Sequence, residues 1–408
     1  MTEPRRSRRR GSTRTGLDRI AAGEPEALKL VRGRKLGLLA HPASVALTHG
    51  KLMHAHDVLL AQGCDVRALF GPEHGYGGHA QDMIAVDDDH EHVTVKPEVR
   101  VHTLYGATEA DLSPRREWLA DLDAVVIDLQ DVGSRYYTFV WTAVLMSRAC
   151  AEAGVQAIVL DRPNPIGCSI VEGGPQRPGY RSFVGLHDVA VRHGMTLAEI
   201  CKLGAEREGV DPRVLEILTV SGYTRAMTFA ETGQPWVLPS PNMPTLDTAL
   251  VYPGGCLLEG TNLSEGRGTT RPFEIWGAPF VDGDALAVSV AIEGAIVRPL
   301  HFQPTFHKHG KQRCGGVQVH VTDPQRFAPY AAYARLIAAA ARLSNGRFAF
   351  RTETYEFVSD RPALDLLIGG PELRTCIEQD ASVDDWLADD ARAAAEFASQ
   401  RQAFLLYG

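Results

Sequence analysis

At 408 residues, with 44% hydrophobic and 23% charged positions, the chain has the composition of a globular protein large enough for two domains, and it is neither a fibre nor a disordered protein. The net charge of −8 is uneven: six arginines (Arg5, Arg6, Arg8, Arg9, Arg10, Arg14) face one acid, Glu3, within the first 16 residues, leaving the rest at −13, an acidic body that argues against a nucleic-acid enzyme. No apolar run approaches the roughly 18 residues of a membrane span, and the seven scattered cysteines without CxxC spacing read as reduced structural thiols rather than a zinc site.

Residues 1–16 read as a basic, disordered, solvated tail. Its arginine pairs run into Gly-Ser-Thr rather than an apolar stretch, so it lacks the pattern of an export signal and a cytoplasmic location is expected. Residues 34–40 form a short apolar strand that stops at His41-Pro42-Ala43-Ser44, with a helix expected from Leu52 to Gln62. The next apolar run, Val66 to Phe70, ends in the turn Gly71-Pro72-Glu73-His74-Gly75, which offers a carboxylate and an imidazole side by side. Val99 to Leu104 is a third extended piece. Asp123 to Asp128 is a fourth, leading into Leu129–Tyr137. A helix over about 138–153 then precedes a fifth strand, Gln156 to Leu160, which ends in Asp161-Arg162-Pro163-Asn164-Pro165.

Strand, helix and strand at this spacing indicate parallel βαβ units, so the fold class is α/β with a Rossmann-like sheet. Several strands therefore deliver polar clusters to one carboxyl edge, where open α/β sheets place ligands. Helix capping accounts for single members such as Ser44 or Asp131. It does not require Glu73 with His74, Asp128 with Gln130 and Asp131, Arg135 with Tyr136 and Tyr137, and Asp161 with Arg162 and Asn164. Such a mixture of carboxylates, amides and stacking aromatics suits a polyhydroxylated ligand.

Further along, Val171–Pro175 carries Glu172 on a Gly-rich turn, and Trp236–Thr245, which includes Asn242, holds three prolines and is too stiff for helix. This stiff segment is the expected hinge between a catalytic domain over 17–241 and a smaller α+β domain over 242–408 that completes the site. Glu259 to Glu274 then concentrates three acids, Arg267, Arg271, Asn262 and three threonines, with Glu265 at its centre. Glycines here free backbone amides for an anion, and either arginine can grip a carboxylate bidentately; a surface turn laced with salt bridges is the plainer alternative. Gly315–Val321 alternates like a half-buried strand, Tyr330–Leu343 is an Ala-rich core helix, and Asp384–Leu406 reads as a closing amphipathic helix. GxGxxG, the P-loop, GxSxG and SxxK are all absent, so no nucleotide or other cofactor is expected. His74 and His79, five apart with carboxylates nearby, leave a metal-dependent hydrolase as a minor alternative, although no metal site is expected.

Five stretches, Phe70–Gly75, Asp128–Thr138, Leu160–Ile166, Pro239–Thr245 and Glu259–Thr270, together resemble the family once called DUF1343, now associated with exo-β-N-acetylmuramidases of the NamZ type. The resemblance runs from about residue 34 to the carboxyl terminus. It implies a Rossmann-like amino-terminal domain with a smaller domain over its active edge, and release of N-acetylmuramic acid from the non-reducing end of peptidoglycan fragments in cell-wall turnover or recycling. Many relatives carry an export signal, so secretion stays open beside the cytoplasmic reading.

Glycoside hydrolysis usually pairs a carboxylic acid with a second carboxylate. Glu73 is the expected acid, placed where Phe70 and Pro72 can bury it, since burial favours the protonated carboxyl. Glu172 leads for the second carboxylate, with Asp128, Asp131 and Glu265 behind it, and the substrate's own acetamido oxygen is the alternative nucleophile. His74 would position Glu73, Tyr136 and Tyr137 stack on sugar or fill the core, and Arg267 and Arg271 are candidates for the lactyl carboxylate. A sugar-binding module without turnover is the competing class.

Overall fold

The computed structural model describes residues 13–81, 84 and 99–408. Six parallel strands form the main sheet: β1 (Lys35–Ala40), β4 (Asp65–Gly71), β5 (Arg100–Thr103), β6 (Ala124–Asp128), β7 (Gln156–Leu160) and β8 (Leu215–Leu218), in the order β5-β4-β1-β6-β7-β8. Between the exposed Lys35 that opens β1 and the buried Asp128 that ends β6, the central strands are apolar because both sheet faces are covered. From β1, Leu39 enters one core with Phe70, Val125, Ile127 and the helix Phe139–Ala153. Leu36, Leu38 and Ala40 enter the other, with Leu17, Ile20, Val58 and Leu59.

The chain steps from β1 outward to β4 and β5, then returns to place β6 on the opposite side of β1. This reversal opens a crevice beyond the carboxyl ends of β1 and β6, the usual ligand position of an open parallel sheet.

Two expectations need correction. Leu52–His54 is strand, not helix: β2 (Val45–Thr48) and β3 (Lys51–His54) form a hairpin, and the helix begins only at Ala55. The cause is the two-residue turn His49-Gly50, with φ of 48° and 74°, whose twist matches a hairpin. The basic tail is also shorter than expected. Thr13 donates its backbone N–H and its hydroxyl to Thr232 O, Arg14 pairs with Ser221, and Thr15 caps the helix Gly16–Ala21 in a capping box with Asp18. The remainder of the tail, residues 1–12, lies outside the described residues.

After the irregular Trp236–Thr245 segment, a second, antiparallel sheet takes the order β10-β11-β9, from β9 (Ile275–Ala278), β10 (Ala295–Phe302) and β11 (Cys314–Val321). The helix Pro329–Leu343 packs beneath it as the Ala-rich pattern implies. The last long helix, Val383–Gln400, stops short of the expected Leu406. Arg401 follows it and donates Nη1 to the carbonyls of Cys168, His193 and Gly194, fastening the end of the chain to loops of the first half. No described helix is long and apolar enough to cross a membrane.

Candidate active site

β4 ends at Gly71, where a Cβ would lie 2.2 Å from the Tyr76 nitrogen, so only glycine lets the chain double back there. His74 then adopts φ of 72° and Gly75 φ of 79°, while Gly75 N–H closes the turn on Pro72 O at 2.9 Å. A side chain in the left-handed region costs roughly 1–2 kcal/mol, a strain this turn carries in order to aim its residues. Glu73 and His74 are both only 6% exposed. Thr138, at the head of the helix Phe139–Ala153, donates its hydroxyl to Glu73 Oε2 at 2.6 Å. His74 lies edge-on near Phe139, and its Nδ1 is buried with no hydrogen-bond partner among the described residues.

These groups line a narrow cleft of about 30 Å³. Tyr136, Tyr137, Ser240 and Asn242 line it from the sheet edge and the proline segment, whereas Tyr252, Glu259, Arg267, Phe273, Tyr355 and Glu356 close it from the second half. Tyr252 stands edge to face with Tyr136, Tyr137 and Phe273. The Tyr136 hydroxyl is buried with no partner among the described residues, the Tyr137 hydroxyl is buried beside Ser240, and burial holds both far above the usual tyrosine range, so they remain neutral.

Beneath the cleft, His41 spans the sheet's reversal point. Burial, and then the Arg162 cation, hold its imidazole well below the usual range. The neutral ring donates Nδ1–H to Pro239 O at 3.2 Å and accepts Gln130 N–H on Nε2 at 2.9 Å, tying β1, β6 and the proline segment together.

The far wall is an ionic lattice. Arg267 Nη2 donates to Glu259 Oε1 at 2.6 Å, its Nε donates to Glu265 at 3.2 Å, and its guanidinium lies 5.2 Å from the Phe273 ring centroid. Tyr355 donates to the other Glu259 oxygen at 2.7 Å. Burial pushes the Glu265 carboxyl up, but Lys308, His307 and Arg267 outweigh it, and the group sits far below the usual carboxylate range.

Residues 36–247 match the family model for the amino-terminal part of exo-β-N-acetylmuramidase NamZ, and residues 250–407 match the model for its carboxyl-terminal part. The chain belongs to the NamZ family. It is 37% identical over 398 residues to the peptidoglycan β-N-acetylmuramidase NamZ of Bacillus subtilis (strain 168), covering 96% of this chain and 91% of the relative. Two crystal structures of DUF1343 family proteins from Bacteroides fragilis NCTC 9343 are also similar. They give TM-scores of 0.85 and 0.70 at 28% and 27% identity, each covering 97% of this chain and 99% of the other.

In this NamZ fold, Glu73, His74, Tyr136, Tyr137, Asn242 and Arg267 share the cleft. Other residues expected at the sugar hold the scaffold instead. Asp128 and Arg162 bind each other bidentately at 2.7 and 2.8 Å, and both are buried. Gln130 donates its amide to Asp131 O and Pro163 O. Asp131 accepts Gly133 N–H and faces His193, and Arg135 clasps the carbonyls of Gly174, Val189 and Leu367. Asp161 accepts from Thr196, Ala198 and Tyr407; Asn164 forms a local turn with Ile166 and holds Met195 O; Asn262 ties down residues 347 and 349. Glu265 stands behind Arg267 in the ionic lattice, and Arg271 lies outside the cleft, close to Glu274 and Asp247. His79 is exposed while His74 is buried, and among the described residues no three His, Cys, Asp or Glu side chains are grouped to hold a metal ion.

Glu172 is the largest correction. It lines a separate groove with Tyr330, Asp390 and Ala394, where its Oε1 accepts Ala331 N–H at 2.9 Å in the first turn of the helix Pro329–Leu343. Burial pushes its carboxyl up to about 7. Because the folded state holds this proton more tightly than the unfolded chain, the stabilisation is complete below the ordinary carboxylate range and is lost as pH rises through about 7. Glu172→Gln should therefore flatten the fall in thermal midpoint between pH 5 and pH 8. Identical pH slopes for the two proteins in a differential scanning fluorimetry series would remove Glu172 as the cause. The cleft carboxylates missed in the sequence are Glu259 and Glu356, the second of which lies beyond every motif singled out there.

Proposed function

We propose that the chain is an exo-acting β-N-acetylmuramidase that removes N-acetylmuramic acid from the non-reducing end of peptidoglycan fragments. Membership of the NamZ family over nearly its whole length carries this reading, and Glu73 in the wall of an aromatic-lined cleft gives it a chemical centre. In this reading Glu73 protonates the glycosidic oxygen as the bond to the anomeric carbon breaks. The imidazole face of His74 and the hydroxyls of Tyr136 and Tyr137 hold the sugar against the strained turn. Arg267 meets the lactyl carboxylate, the group that separates N-acetylmuramic acid from N-acetylglucosamine. Seven free cysteines, six of them buried, support a reducing, cytoplasmic setting.

Incubation of the pure protein with a disaccharide of N-acetylmuramic acid β-linked to N-acetylglucosamine should release free N-acetylmuramic acid, with no release from a chitobiose control and no loss in EDTA. Binding of the muramyl sugar without turnover would identify a lectin-like module instead. Arg267→Lys keeps the cation between Glu259 and Glu265 but loses the fork, so KM for the muramyl substrate should rise about tenfold, the scale of roughly 1.4 kcal/mol. An unchanged KM for the muramyl substrate in this variant would remove Arg267 from lactyl recognition.

A further inference from the structure

Tyr355 and Val358 exchange two backbone hydrogen bonds, each 2.9 Å, around a two-residue turn. The central residues, Glu356 and Phe357, have φ of 44° and 68°. Turns with two positive φ angles are ordinarily filled by pairs such as Asn-Gly, which accept that backbone without strain. A glutamate followed by a phenylalanine in this turn is a strained choice, and strain of this kind gathers where side chains have work to do. Phe357 lies 5.8 Å from the Tyr105 ring centroid. Glu356 is 4% exposed and lines the same cleft as Glu73, and its Oε2 accepts the Tyr105 hydroxyl at 3.1 Å from 251 residues away. Tyr105 follows β5, the strand paired with β4, so the sheet edge that presents Glu73 also fixes Glu356. Glu259, the third cleft carboxylate among the described residues, is bound by Arg267 and Tyr355 into the wall.

Resting on the muramidase reading above, we propose that Glu356 is the second carboxylate of the reaction, acting on the nucleophile, with Tyr105 as its positioning residue. Glu73 gives its proton to the leaving oxygen as the C1–O bond breaks. The oxygen that bonds to C1 belongs to water or to the substrate's acetamido group, and the proton released from that group, O–H or N–H, passes to Glu356. In the acetamido case, water then opens the ring at C1, leaving its proton on Glu73, and Glu356 returns its own to nitrogen.

The test compares the muramyl disaccharide with para-nitrophenyl β-N-acetylmuramide, whose leaving group needs little protonation. Glu356→Gln should lose about a thousandfold in kcat on both substrates, within the range for a positioned acid or base, with the thermal midpoint near wild type. Glu356→Asn, a residue that accepts the left-handed backbone, should fold equally well and be equally inactive. Tyr105→Phe should lower kcat with little change in KM and move the acidic limb of the pH–kcat/KM profile upward, because a donor to the charged carboxylate is gone. If wild type is active and Glu356→Gln stays within tenfold of it, or loses rate on the disaccharide alone, the assignment of Glu356 falls while the function stands. If wild type cleaves no muramide, both fall. Should the Glu356 variants not fold, an unmoved acidic limb in Tyr105→Phe overturns the assignment.

Discussion

Glu73→Gln is expected to reduce kcat on a muramyl disaccharide by about 10²–10⁴-fold, the range for removal of a positioned general acid. Glutamine matches the volume of the buried side chain and keeps an oxygen to accept the Thr138 hydroxyl, so the strained turn and its burial should persist. What is lost is the proton for a sugar leaving group. On the nitrophenyl muramide, where the leaving phenolate is stable unaided, the deficit should shrink severalfold. Steady-state rates on both substrates, with thermal midpoints, make the comparison. A variant as active as wild type on the disaccharide would move the acid elsewhere in the cleft. A uniform loss on both substrates with a lowered midpoint would instead make Glu73 a structural anchor for the head of the helix Phe139–Ala153.

The sheet was legible because a buried parallel strand is a largely apolar run, and β1, β4, β6 and β7 appear as such runs within a residue or two, β4 broken only by the exposed Arg67. The turn carrying Glu73 and His74 was legible for the same reason: an apolar strand that stops at Gly-Pro-Glu-His-Gly must leave the sheet there. The division of labour among the polar clusters was not legible. Asp128 and Arg162, or Asp161 and Tyr407, find each other across 34 and 246 residues, and no local pattern distinguishes a carboxylate awaiting substrate from one already paired. Glu172 misled for a related reason, since a carboxylate on a Gly-rich turn looks the same whether it meets a ligand or the first turn of a distant helix. Glu356 left one trace, a Tyr-Glu-Phe-Val stretch with no glycine to mark the turn, and only the backbone angles reveal what that stretch does.

Asp128→Ala should lower the free energy of unfolding by about 3–5 kcal/mol, the cost of stranding one partner of a buried ion pair. Asp128 is fully buried at the end of β6, and Arg162 is 5% exposed. Without the carboxylate, the guanidinium keeps its bond to Val45 O at 3.0 Å but remains an uncompensated charge. The loss reaches the site through the backbone: Ser44 donates its hydroxyl to Asp128 O and accepts His41 N–H at 3.0 Å, and His41 holds Gln130 at the sheet's reversal point. Urea midpoints for Asp128→Ala, Arg162→Met and a combined Asp128→Leu, Arg162→Met variant form the test. The combined variant should recover much of the loss, since apolar side chains replace both charges at once. The alternative is that Asp128 acts on the sugar, as its place at a strand end first implied. In that case Asp128→Ala would keep its urea midpoint and lose kcat, and the double substitution would recover nothing. Stability and turnover thus move in opposite patterns under the two roles, and the Arg162 bond predicts that stability moves first.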